Sequence, residues 1–275
     1  MKRAGLIVLA GALAAATAAL AGSDVARVRD TSFRSHAVGR KLGLEVYLPV
    51  GYDTSAMHYP VVYFLHGLPA NGTTYESIGF VEKALDEVGR PAILVVPQGA
   101  RDDDTDPEYV DHDDGRNWGT AIARELPRIV DARFRTIRSR QGRALIGVSA
   151  GGYGAMHLAL KHLSDFSVVE SWSGYFHPTD PTGTKALPLG PDTDVHRQLQ
   201  AERSTLKRLP TFIAFYVGAG DWRFAAENRQ LNAELTGAGV QHLFRVYSGG
   251  HEQSLWQRHA PAWLGLALAH LAAAG

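Results

Sequence analysis

Short, continuously apolar runs alternate along this chain with longer helix-patterned stretches, and that alternation predicts an α/β fold: a mostly parallel central sheet with helices on both faces. Two further observations agree. The runs are rich in β-branched and aromatic residues without polar interruptions, the character of strands buried on both sides. The chain has 275 residues, 45% of them apolar, which is enough for one large domain with a well-buried core.

The amino-terminal residues stand apart. Lys2-Arg3 is followed by an uncharged Ala/Leu/Gly run from Ala4 to Ala21, ending Ala19-Leu20-Ala21 before Gly22-Ser23-Asp24. A basic start, an apolar stretch and a small-x-small site are the layout of a secretory signal peptide. A membrane anchor is the rival reading, but Ala and Gly partition weakly into lipid compared with Leu or Ile. The expectation is a signal peptide over residues 1–21, then a single catalytic domain over 22–275. The mature protein is then secreted, with no integral membrane span.

Leu44–Leu48, Pro60–Leu65, Ala92–Val96, Arg143–Val148, Phe166–Ser171, Thr211–Val217 and His242–Tyr247 read as strands. Tyr75–Val88, Thr120–Phe134, Gly152–His162, Phe224–Leu235 and Gln253–Ala272 read as helices. Two connections are long and irregular: an acidic one from Gln98 to Asn117, and one from Gly174 to Leu199 rich in Pro, Gly, Thr and Asp. Both leave carboxyl ends of predicted strands, the side on which open α/β sheets bind ligands.

Composition narrows the chemistry. Lys and Arg number 28 against 28 Asp and Glu, a balance that argues against nucleic acid as a partner. There is no cysteine, which excludes thiol nucleophiles, iron–sulfur clusters and Cys-based zinc sites. Any nucleophile is therefore an oxygen or a nitrogen, and nothing in the sequence calls for a cofactor or a metal.

Gly147-Val148-Ser149-Ala150-Gly151 is a G-x-S-x-G between an apolar strand and a helix opening Gly152-Tyr153-Gly154. In that context the serine sits on a sharp strand-to-helix turn that exposes its hydroxyl, and the glycines are needed where a Cβ would clash. In other contexts the same string is a glycine-rich turn. A serine hydroxyl needs a base to take its proton, and in a fold with this elbow the partners follow in the order Ser, acid, His. Of the 12 histidines, His251 fits, lying after the last strand and Ser248-Gly249-Gly250 and before the final helix. The acid belongs at the end of the preceding strand, where Gly218-Ala219-Gly220 leads to Asp221. Asp221 is also placed to cap the following helix, and Glu227 is the fallback acid. Two N–H donors are needed for the charge that develops on the substrate oxygen. The amide of Ala150 is one. Leu68 is the other, since Gly67 lets the chain turn and Pro69 has no N–H. His66 is then a structural residue, its ring against that loop.

With these segments placed, the chain resembles an esterase family of α/β-hydrolases that includes esterase D (S-formylglutathione hydrolase), feruloyl and acetyl-xylan esterases, and mycolyltransferases of mycobacterial envelopes. The resemblance rests on VYLPVGYD (46–53), YPVVYFLHGL (59–68), ELPRIVDARFRT (125–136), RALIGVSAGGYGAMHLALKH (143–162), SWSG (171–174), the Asp221 loop and GGHEQSLW (249–256). It implies the same triad, Ser149, Asp221 and His251, with Leu68 and Ala150 as oxyanion donors. A signal peptide separates this chain from the cytosolic formylglutathione enzymes. Asp221, where mycolyltransferases as a rule carry Glu, and His66, where they carry Asp, favour hydrolysis over acyl transfer.

The expected function is hydrolysis of a carboxylic ester, aryl, cinnamoyl or acetyl, on a small molecule or a polysaccharide. Acyl transfer to a sugar or lipid is the alternative, and a non-catalytic binding member of the fold is the third reading. Trp118, Tyr175 and Trp222, on loops leaving strand ends, are candidates both for a substrate pocket and for plain packing. The carboxylates from Asp102 to Asp114 invite calcium, but they lack the spacing of a calcium loop and read as a solvated loop over the site.

Overall fold

Neighbouring residues of a strand point to opposite faces of a sheet, yet every side chain from Val61 to Leu65 is buried, so this sheet is covered on both sides. The computed structural model describes residues 27–100, 109–112, 115–180 and 185–275. The expected signal peptide, residues 1–21, lies outside the described residues, as does most of the acidic stretch 102–114.

Eight strands form one sheet: β1 (Val28–Arg34), β2 (Lys41–Tyr47), β3 (Val61–Leu65), β4 (Ile93–Pro97), β5 (Arg143–Val148), β6 (Val168–Trp172), β7 (Phe212–Gly218) and β8 (His242–Tyr247). Their order is β1-β2-β4-β3-β5-β6-β7-β8. β1 and β2 pair antiparallel with each other, and β2 runs antiparallel to β4. From β4 to β8 all pairings are parallel. The helices are α1 (Gly79–Val88), α2 (Trp118–Thr120), α3 (Leu126–Arg133), α4 (Ala150–Lys161), α5 (Val195–Arg208), α6 (Ala225–Ala238) and α7 (Gln253–Ala269). The alternation of side chains splits the interior into two cores. Tyr63, Leu145, Val169 and Phe215 pack with α3 to α6, whereas Phe64, Ile146, Trp172 and Tyr216 pack with α1 and α7. This is the α/β-hydrolase fold.

Four elements differ from the sequence reading. β1 is an additional strand: as an edge strand it buries only Phe33, so its sequence VRDTSFR has little apolar content to betray it. α5 begins inside the stretch read as irregular. It presents Val195, Leu199 and Leu206 inward from an otherwise polar sequence, and the Asp194 carboxylate caps it by accepting from the Arg197 amide at 3.1 Å. The helix read over 120–134 starts at Trp118 and widens into a π-turn over Ala121–Glu125. That wide turn ends beside Pro127, whose ring nitrogen has no hydrogen to give to the preceding turn. The stretch from Tyr75 opens as a 3-10 turn, Thr74–Ser77, and becomes α-helical only at Gly79.

The topology also locates a crevice. From β3 the chain crosses to β4 on one side, and later enters β5 on the other. Where the winding direction reverses, the loops leaving adjacent strands part, and ligands bind at the carboxyl ends there. The loop after β3 begins at His66, and the turn after β5 holds Ser149.

Candidate active site

Ser149 is the single residue between β5 and α4, and the chain reverses on it with φ 56° and ψ −122°, a conformation costly for any residue with a Cβ. The surroundings over-determine it. The Ser149 amide donates to the Trp172 carbonyl at 2.9 Å, and the Ser149 carbonyl accepts from the Tyr153 amide at 3.0 Å. The motif's glycines are imposed by close approach: a Cβ on Gly147 would fall 2.1 Å from the Gly151 oxygen, and one on Gly151 would fall 2.0 Å from the Leu65 oxygen.

Two loops bring the other members. The turns after β7 and β8 are hydrogen-bonded together, Ala219 N–H to the Tyr247 oxygen at 2.7 Å and Gly220 N–H to the Gly249 oxygen at 2.8 Å. This sets Asp221 and His251 side by side. His251 Nε2 lies 2.9 Å from Ser149 Oγ, and His251 Nδ1 lies 2.8 Å from Asp221 Oδ2. A carboxylate only accepts, so Nδ1 carries the proton and Nε2 is left as the acceptor for the serine hydroxyl. The Asp221 side chain is almost wholly shielded from solvent. It caps no helix, because the cap position of α6 falls to Phe224. The His251 ring is held between two aromatic rings, Phe224 at 5.3 Å and Trp256 at 5.2 Å between centroids.

The loop after β3 runs against the serine: a Cβ on Gly67 would lie 2.9 Å from Ser149 Cβ. Leu68 follows directly, and Ala150 opens α4. Among the described residues neither amide is taken up by a turn or loop hydrogen bond, and the amide at the start of a helix has no intrahelical partner either. His66 is buried, its Nε2 accepting from the Gly99 amide at 3.0 Å and its Nδ1 donating to the Gly67 oxygen at 3.1 Å.

Glu227 lies apart from the triad. It contacts His177, and its Oε1 is 3.3 Å from His196 Nε2, while His196 Nδ1 is 2.6 Å from Glu234 Oε2. The carboxylates outweigh desolvation and raise the His196 pKa to about 9, and they hold His177 above its ordinary value. Of the three aromatic candidates, Trp118 and Tyr175 are 0% and 2% exposed and pack inside the core, Trp118 at the start of α2 and Tyr175 stacked on Tyr153. Trp222, next to Asp221, is 80% exposed.

Sequence reasoning missed three supporting residues. Tyr109, in the acidic connection, is buried where a Cβ on Gly99 or Gly154 would stand, and donates to the His66 oxygen at 2.8 Å. Ser173, with φ 51°, accepts the Trp256 indole N–H at 3.0 Å. Asn228 donates from Nδ2 to the Gly174 oxygen at 2.8 Å, holding down the start of the 174–199 connection. The Gly-flanked positions at 99 and 154 were the available sign of a ring wedged between them. Among the described residues no three His, Cys, Asp or Glu side chains converge to hold a metal ion, and no helix is long and apolar enough to cross a membrane.

The family described as "Putative esterase" matches residues 35–264. An esterase of Mycobacterium tuberculosis is 34% identical over 147 residues, which are 52% of this chain but 31% of that protein, so the chain spans about a third of its curated relative's length. Among solved structures, a ferulic acid esterase superposes with a TM-score of 0.78 at 21% identity, covering 89% of this chain and 97% of that one. An S-formylglutathione hydrolase from Agrobacterium tumefaciens does so with a TM-score of 0.72 at 19% identity, covering 89% and 95%. With a match over most of its length to the family whose elbow motif it carries, the chain belongs to the esterase family of α/β-hydrolases.

Proposed function

We propose that this protein hydrolyses carboxylic esters through an acyl-enzyme on Ser149. One observation carries the reading: Ser149 Oγ, His251 and Asp221 are joined by hydrogen bonds of 2.9 and 2.8 Å at the crevice where the sheet reverses its winding. His251 Nε2 takes the hydroxyl proton as Oγ attacks the ester carbonyl. Asp221 holds the imidazole in the Nδ1–H tautomer and stabilises the imidazolium. The amides of Leu68 and Ala150 receive the oxyanion. On collapse the C–O bond to the alcohol breaks, and His251 returns its proton to the departing oxygen. A water, deprotonated by the same nitrogen, then attacks the acyl carbon, releasing the acid and restoring Ser149.

The likeness to a ferulic acid esterase supports an aryl or cinnamoyl ester as substrate, with an acetyl ester as the smaller option, on a small molecule or a polysaccharide. Exposed Trp222 beside the triad suits a flat or sugar-bearing group at the rim. The layout of residues 1–21 supports export, with 22–275 as the catalytic unit.

The test is release of p-nitrophenol from p-nitrophenyl acetate and longer acyl esters, and of ferulate from methyl ferulate, beside Ser149→Ala. Activity that falls by about four to six orders of magnitude in the variant is the expected result. Folded wild-type protein that turns over none of these esters overturns hydrolysis, and leaves acyl transfer or ligand binding as the role of the site.

A further inference from the structure

At the opposite edge of the sheet, where the parallel strands begin, the protein has a second cleft of about 600 Å³ lined by Arg140, Ser167, Phe212, Leu243 and His270. It lies at the amino ends of β6, β7 and β8, and shares no residue with the triad.

The charge in this cleft is unbalanced. Arg140 donates from Nε to the Leu163 oxygen at 2.9 Å and from Nη2 to the Phe166 oxygen at 3.2 Å and Thr211 Oγ1 at 3.0 Å. Both Nη atoms reach the Pro210 oxygen only at 3.4 Å. All these acceptors are neutral. Among the described residues no carboxylate pairs with Arg140, and its pKa is lowered by burial with no neighbouring charge to counter it. Arg143, at the start of β5, is by contrast paired with Asp131. A partly buried cation is costly unless an anion neutralises it.

The walls define what that anion would be attached to. The Ser167 hydroxyl is buried and has no hydrogen-bond partner among the described residues, an unsatisfied group that costs stability until an acceptor arrives. Phe212 and His270 lie flat on one another, centroids 3.6 Å apart at 11°, and form an aromatic wall. One guanidinium, the hydroxyls of Ser167 and Thr211 and the stacked face of Phe212 and His270, beside the polar Gln141, Gln241 and His242, suit a single carboxylate on a planar body. They do not match a multiply charged phosphate, which would call for more than one cation.

We propose that this cleft is a second binding site, for a small aromatic carboxylate held by Arg140 and Ser167 with its ring among Phe212, Leu243 and His270. The ligand class is that of the acid an aryl ester releases, but the site stands on its own residues and not on the reaction at Ser149.

The experiment is a titration of the ¹⁵N-labelled protein with benzoate and cinnamate, followed by amide chemical shifts. Benzamide, the neutral isostere, serves as the control. Saturable shifts at Ser167, Phe212, Leu243 and His270 are expected, at least tenfold weaker for benzamide. Arg140→Gln abolishes them. Because Arg140 also ties down three loop carbonyls, Gln241→Glu is the second variant: an exposed residue lining the same cleft, it adds a negative charge there that opposes a bound carboxylate. It weakens benzoate binding by about tenfold or more. Shifts confined to residues around Ser149, equal binding of benzamide, unaltered binding to Gln241→Glu, or no binding at 10 mM (roughly the weak limit for a single ion-paired contact) would each overturn the proposal. Loss of esterase activity bears on Ser149 alone and leaves these shifts unaffected.

Discussion

The indole of Trp256 stands at 86° to the imidazole of His251, 5.2 Å between centroids, while its N–H is anchored on Ser173 Oγ at 3.0 Å. The His251 ring is therefore positioned from the first turn of α7 and from the end of β6 together. Trp256→Ala should lower kcat by about 10- to 100-fold with little change in KM, since displacing a catalytic group by an ångström costs that much. Trp256→Phe keeps the ring and should keep most of the rate. Steady-state kinetics on p-nitrophenyl acetate distinguish the two, and equal losses would refute the positioning role.

Gly67 faces Ser149 so closely that a methyl group there meets Ser149 Cβ at 2.9 Å. Gly67→Ala pushes the loop, and with it the Leu68 amide, away from the reacting carbonyl. A kcat lower by about 10²- to 10³-fold, the cost of one oxyanion donor, is expected alongside a near-native melting temperature. A variant with wild-type kcat would show that the Leu68 amide takes no part.

Asp221 holds one tautomer of His251, and Asp221→Asn allows the other. A loss of about 10⁴ in kcat near pH 7, as for the corresponding substitution in serine proteases, is the expected size. Asp221→Glu should recover part of it. The comparison with Glu227→Gln, which leaves the triad intact, checks that the right acid has been identified.

The chain His177–Glu227–His196–Glu234 makes stability depend on pH in a definite direction. His196 has a folded-state pKa of about 9, above that of the unfolded chain, so its contribution is complete below about pH 6.5 and is lost as pH rises through 9. The melting temperature should fall by several degrees more between pH 6.5 and 9 in wild type than in Glu227→Gln. Parallel curves for the two proteins would contradict it.

Glu170 lies on β6, fully buried, with Oε2 accepting from the Trp172 indole at 3.0 Å and Oε1 without a partner among the described residues. Burial drives its pKa well above the carboxylate range, which favours the neutral acid. A raised pKa makes folding less favourable as pH climbs above the unfolded value. Glu170→Gln, still able to accept from Trp172, should raise the melting temperature at pH 8 by about 2–4 °C, the equivalent of ~1 kcal/mol. The gain should vanish near pH 4.

Much of this architecture was legible in the sequence because its signals are local. β3, β7 and, after Arg143, β5 are apolar runs, and a glycine at or just beyond each strand end marks where the chain leaves the sheet towards Leu68, Ser149 and Asp221. The partners of Ser149 could be selected because strand ends converge by topology, whatever lies between them. What stayed hidden depends on tertiary context. β1 needs only Phe33 because it has a single covered neighbour, and α5 needs only three apolar residues because it packs one narrow face. Trp118 and Tyr175 look like Trp222 in a one-dimensional string; which of them is buried depends on the helices that close over the first two.

The acidic connection between β4 and α2 is tied down at both feet. Gln98 Nε2 donates to the Ala100 oxygen at 2.8 Å, Tyr109 donates to the His66 oxygen, and Asp111 accepts from the Thr120 amide at 2.8 Å and hydroxyl at 2.7 Å. These described ends are thus fastened to the loop after β3 and to α2. The placement of His66, and with it of Gly67 beside Ser149, is inherited in part from a tyrosine 43 positions further along the chain.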